Sequence, residues 1–212
     1  MPENQSFKDW VIVSCGTMSP ELNYLQETGF LDAAKILYTV PGLHQNFPDL
    51  EGQLIKQINH AKTISQKIIV VYGSQYCYMN LKYPSRTIDK IIEEQGGTIY
   101  RIRAKQCYDM LVSDEEREEF SQGGDFYWLT PGWVTFRQHV YKGWDKTIAN
   151  ENFPSHTGGA LLLDGIGFYD KMVNESPEDF LDFSDWMGIP IIPHPITLER
   201  LKNLLLEPLL RS

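Results

Sequence analysis

The chain has 212 residues, 42% hydrophobic and 22% charged, with a net charge of −9 and a pI near 5.0. This is the composition of a globular protein with one sizeable core, and its acidity excludes the basic footprint of a nucleic-acid binder. No apolar run approaches the ~20 residues of a membrane span, and the polar stretch Met1–Ser6 is no signal peptide, so a cytoplasmic protein without a membrane partner is expected.

Trp10–Ser14 reads as a first strand, closed by Cys15-Gly16, and Ser19-Pro20-Glu21 opens a helix with Ser19 as its cap. Ile36–Val40 is a second strand, followed by Pro41-Gly42-Leu43-His44 and a helix from about Asp49 that carries Leu50, Leu54, Ile55 and Ile58 at helical spacing. Lys67–Val71 is a short β-branched run broken at Tyr72-Gly73, the pattern of a strand buried on both faces, and Cys77 stands four residues past the break. A helix from Ser85 to Gln95, capped by Ser85, stops at Gly96-Gly97. Thr98–Arg103 alternates as a half-exposed strand and leads through Cys107 to a helix reaching Phe120. Phe126–Thr130 is a fifth strand, before a helix bearing Trp133, Phe136, Val140 and Trp144. Ala160–Asp164 is a sixth, Ser176-Pro177 opens another helix, Ile189–Ile192 is a seventh strand, and Thr197–Arg200 caps a last helix toward Leu210. The acidic runs Asp114–Glu119 and Glu175–Asp185 are solvated helix faces.

This alternation predicts an α/β fold: an open, mainly parallel sheet of about seven strands with helices on both faces. A closed eight-unit barrel needs about 250 residues, more than are present. One domain is expected, with two similar halves around a cleft as the other possibility.

The chemistry-bearing residues fall into one register on that map. Cys15, His44, Cys77 and Cys107 follow the first four strands at separations of 29, 33 and 30 residues, each about one strand–helix unit. Trp133, Asp164 and His194 continue the series after strands five to seven. Residues that recur once per unit return to the same edge of a parallel sheet, and the crevice beyond the carboxyl ends of the strands is where such sheets bind ligands. Cysteine taken singly is more often core filling than chemistry. Here, however, all three cysteines share the register, and their odd number in a reducing compartment suits free thiols or metal ligands.

Three thiols and an imidazole are ligands for zinc, iron or an Fe–S cluster, and no C-x₂₋₄-C pair marks a structural zinc site. The predicted metal ligands are therefore Cys15, Cys77, Cys107 and His44. Glu21 and Asp109, with His44, are candidate acid–base groups, and Tyr72 and Trp133 candidate walls for a bound cofactor or small molecule, together with Tyr76, Tyr78 and Trp128. Arg86, Arg101, Arg103 and Lys105 are candidates for an anionic substrate, while His60, His139 and His156 are assigned no role. Dinucleotide, P-loop and serine-hydrolase motifs are absent from the sequence.

Certain short motifs go further. Cys15-Gly16 with Glu21-Leu22, Leu43-His44 with Pro48, Tyr72-Gly73 with Cys77, Cys107 with Met110-Leu111, and Phe126–Trp133 together resemble an uncharacterised family of bacterial and archaeal proteins, catalogued as a domain of unknown function. The resemblance implies a link to corrinoid or one-carbon metabolism and a corrinoid protein or methyltransferase as partner, because some members are encoded beside corrinoid-dependent methyltransferases. It carries no established activity. Three readings stay open: a metal- or cluster-binding enzyme, a non-enzymatic module that binds or delivers a metal or corrinoid, and a metal-free enzyme with a cysteine nucleophile.

Overall fold

Strands β1 (Trp10–Cys15) and β3 (Lys67–Val71) are apolar on both faces, and each occupies the interior of a sheet. The computed structural model describes residues 6–43, 47–74, 77, 78, 80 and 83–211. In it β2 (Lys35–Thr39) and β4 (Thr98–Arg101) flank the central pair in the order β2-β1-β3-β4, all parallel. Alternate residues face opposite sides. Val11, Val13, Ile68 and Val70 pack under α2 (Phe47–Lys62) and α3 (Ile88–Gln95). Ile12, Ile69 and Val71 pack with Leu22 and Leu25 of α1 (Ser19–Glu27).

The fold is α/β with seven parallel-paired strands, and these divide into two sheets of four and three. The second sheet runs β5 (Phe126–Leu129), β6 (Gly159–Asp164), β7 (Ile191–Pro195), with β6, apolar and buried up to its terminal Asp164, in the middle. Pro193 and Pro195 lie inside β7, which the sequence ended at Ile192; a proline is tolerated there because β7 is an edge strand. One core joins the sheets: Leu163 of β6 and Leu201, Leu204 and Leu205 of α10 (Glu199–Leu206) share a cluster with Ile12 and Ile69. At the seam, Gly132 comes so close to the 3₁₀ turn that follows β1 that a Cβ there would overlap the Thr17 carbonyl oxygen.

Several helix ends differ from the sequence reading. Ser19 begins α1 instead of capping it, because a 3₁₀ turn at Gly16–Met18 feeds directly into the helix. Thr87, and not Ser85, caps α3 by accepting from the Lys90 amide. Helix α4 (Asp114–Ser121) has a capping box built by Ser113 and Glu116. The segment read as one helix from Trp133 to Trp144 breaks at Phe136 into α5 (Pro131–Thr135) and α6 (Arg137–Val140). Helices α7 (Lys146–Asn152) and α8 (Phe168–Glu175) were not anticipated; α9 (Pro177–Met187) starts at the expected proline. Helix α10 begins at Glu199, and its cap position, Leu198, makes no side-chain cap bond, so Thr197 is not its cap. Among the described residues no helix is long and apolar enough to cross a membrane.

Candidate functional site

In the order β2-β1-β3-β4 the chain steps outward from β1 in one direction and then returns to its other side, so the crevice opens beyond the carboxyl ends of β1 and β3. Cys15 is the last residue of β1, and Cys77 stands in the loop beyond β3. Cys107 lies six residues past β4, yet it reaches the same place. Its approach is held against β3 by the Ile102 amide donating to the Val70 carbonyl and the Ser74 amide donating to the Ala104 carbonyl. Gly73 makes this possible: a Cβ there would strike the Lys105 carbonyl and come within 2.7 Å of the Cys77 sulfur.

The three cysteines line one pocket of about 110 Å³. Tyr72 and Trp133 line it as well. The Trp133 indole Nε1 donates to Cys107 Sγ at 3.1 Å, and Thr17 Oγ1 donates to Cys15 Sγ at 3.1 Å. The Tyr72 hydroxyl pairs with Thr39 Oγ1 and also lies within hydrogen-bond reach of Cys15.

Burial pushes every thiol up. Cys107 rises to about 12, helped by the nearby Cys15 and only partly offset by the Trp133 indole. Cys77 rises further through burial and the proximity of Cys107 and Cys15, with the Arg101 charge a weak counterweight. Cys15 also rises through burial, and the Thr17 and Tyr72 hydrogen bonds oppose the change. The mutual influence of the three thiols reflects their closeness. They nevertheless do not converge on one point: among the described residues, no group of three His, Cys, Asp or Glu side chains is arranged to hold a metal ion. His44 and Tyr76 lie outside the described residues.

A family model described as "Protein of unknown function (DUF1638)" matches residues 38–205. The chain belongs to this family. No curated protein and no solved structure matches it. The DUF1638 span contains Cys77, Cys107 and Trp133, whereas Cys15 and Glu21 precede it.

The remaining predicted residues of this DUF1638 protein divide by location. Glu21 is fully buried on α1, and neither carboxylate oxygen has a hydrogen-bond partner among the described residues. Burial raises its carboxyl to about 8, with the charge of Asp164 adding to the effect. Glu21 is close enough to raise the Cys107 thiol in turn, although it does not line the pocket. Asp109 is held apart: its carboxylate accepts from the Lys105 amide at 2.7 Å and from Arg200 at 3.1 Å. Asp164 caps α8 by accepting from the amides of Ile166, Phe168 and Tyr169. His194 lies within β7 with its ring 4.1 Å from that of Phe120. Trp128 packs against Tyr108, and Tyr78 donates to Glu51, both outside the pocket lining. Arg86, Arg101 and Lys105 are paired with Glu51, Asp89 and Asp114, and the exposed Arg103 approaches Glu207.

Sequence reasoning gave no site role to Thr17, Met18, Gln106 and Tyr108, which also line the pocket, while Leu43 and Met110, in the lining as well, stand in the family motifs. The one signal for the first four was adjacency to a strand-end cysteine.

Proposed function

We propose that the pocket of Cys15, Cys77 and Cys107 binds a thiolate-ligated centre, either a transition metal (zinc or iron) or an Fe–S cluster, with His44 as a fourth ligand or an acid–base group. The observation that carries this reading is that all three cysteines of the chain, drawn from three separate strand–helix units, line one pocket. Thiolates are soft ligands, and a bound cation removes their protons despite burial. With His44 as an acid–base group, three thiolates would leave a coordination position open to substrate. Glu21, neutral at low pH and able to release its proton near pH 8, is the proposed proton carrier beside Cys107. A metal-free cysteine nucleophile is the weaker reading. Burial holds the thiols protonated, and among the described residues no His, Lys or Arg lines the pocket to activate one.

The test is an ultraviolet–visible spectrum with elemental analysis on protein purified without oxygen, before and after reconstitution with iron and sulfide. A broad thiolate-to-iron band with stoichiometric iron is expected, lost when any one cysteine is replaced by serine. Stoichiometric zinc without the band would assign Lewis-acid chemistry instead. Folded protein that takes up neither metal, or full metal retention in all three serine variants, would overturn the proposal.

A further inference from the structure

A second pocket, of about 270 Å³, lies where the α6–α7 connection meets α9, away from the cysteines. Its walls are the aromatic rings of Tyr141, Trp144, Phe183 and Trp186, and its two charged lining residues are Asp182 and Arg137. Phe183 and Trp186 are stacked at 5.8 Å, and Tyr141 closes the angle between them at 6.1 and 5.3 Å. Asp182, Phe183 and Trp186 follow one another at helical spacing, so α9 presents a carboxylate and two ring systems together.

The inner side of this aromatic group is core. Tyr141 and Phe183 pack with Val140, Ala149 and Phe153. The outer side is not closed: Trp144 and Trp186 are only half-buried and Asp182 is exposed. Ring faces carry negative electrostatic potential and attract cations, most strongly when tryptophan contributes. One such contact is already present. The Arg137 guanidinium sits 5.7 Å from the Phe183 centroid, tethered to Asp179 at 3.6 Å. Asp182 has no ion-pair partner among the described residues, while Asp185 on the same helix pairs with Lys146. A helix carrying Glu178, Asp179, Asp182 and Asp185 on a chain of net charge −9 sets a field that draws cations in and repels anions.

We propose that this aromatic pocket binds a small organic cation of the alkylammonium class, held against the half-buried rings of Trp144 and Trp186 and by the Asp182 carboxylate. Its volume suits a quaternary ammonium head with one short substituent. Arg137, the intramolecular cation on the same ring group, competes with that ligand.

The experiment is a tryptophan-fluorescence titration of the full chain with choline chloride, against sodium chloride at matched ionic strength and against the neutral isostere 3,3-dimethyl-1-butanol. Choline is expected to give a saturable change, with the neutral isostere binding about tenfold more weakly. Asp182→Asn should weaken choline binding several-fold, and Arg137→Gln should strengthen it, with circular dichroism confirming that both variants are folded. The absence of a saturable response to choline would overturn the proposal. Equal binding of the isostere would do so too, leaving only an apolar slot. The reversed pattern, in which Arg137→Gln weakens binding and Asp182→Asn strengthens it, would assign the pocket to an anion.

Discussion

The indole Nε1 of Trp133 donates to Cys107 Sγ at 3.1 Å, and so ties the turn after β5 to the segment that leaves β4. The contact joins the two sheets through side chains that line the cysteine pocket. A hydrogen bond to sulfur favours the thiolate, and here it partly opposes the burial that pushes Cys107 to about 12. Trp133→Phe keeps an aromatic wall and removes the donor. The pH–rate profile for alkylation of Cys107, followed by peptide mass spectrometry, should move to higher pH, with slower labelling at every pH below the plateau. An unchanged profile would show that the contact has no electrostatic effect on the thiol.

Glu21 makes stability depend on pH in the direction opposite to most carboxylates. Its carboxyl is raised from 4.5 to about 8 by burial. Below 4.5 both the folded and unfolded chains hold the proton. Between 4.5 and about 8 only the folded chain retains it, so this contribution to stability falls as the pH rises and is lost through pH 8. Glu21→Gln removes the titration. Relative to the parent, the variant should be nearly neutral at pH 5 and more stable at pH 9 by on the order of 2–4 kcal/mol. Thermal melts of both proteins across that range measure the difference, and parallel curves would contradict it.

That Cys15 and Cys77 line one pocket was legible because strand-end positions of a parallel sheet share one edge, and the apolar runs at Val11–Val13 and Ile68–Val71 mark their strands plainly. The same rule applied to Asp164 and His194 placed them in a series they do not join. Strand counting does not reveal that pairing stops after β4 and restarts at β5, since that break depends on contacts distant in sequence such as Gly132 against Thr17. The two residues therefore sit on the second sheet, one capping a helix and the other packed against Phe120. Helix α8 was missed for a related reason. Its start is set by the Asp164 side chain and by Gly167 at a φ of 72°, and not by a Ser or Thr cap.

Asp109 is placed as an ion-pair centre. Its carboxylate is buried and accepts from Arg200, with Arg117 at 3.8 Å, while the Arg200 Nε donates to the Asp109 carbonyl at 2.6 Å. Asp109→Ala leaves two guanidinium groups short of a partner and frees the Lys105 amide. Arg200 is about one-third exposed, so solvent recovers part of the loss, and the expected cost is about 2–3 kcal/mol. Urea denaturation measures it. Metal content should be unchanged in the variant, because none of these groups lines the cysteine pocket.

Gly132 and Gly52 test whether the seam between the sheets is as close as it looks. Gly132 is buried in α5, and a Cβ there would overlap backbone at Thr17, which no side-chain rotation relieves. Gly132→Ala must therefore move α5 away from the turn after β1. That turn also carries the Thr17 bond to Cys15, so the change should loosen the pocket as well as destabilise the fold by about 1–3 kcal/mol. Gly52, inside α2, has open space where its Cβ would go, and Gly52→Ala should stabilise by about 0.5–1 kcal/mol by favouring the helix. The two melting temperatures should shift in opposite directions, and only Gly132→Ala should speed alkylation of Cys15 and Cys107. A harmless Gly132→Ala would mean that the sheets have slack at the seam, and the pocket would then owe its closure to its side chains alone.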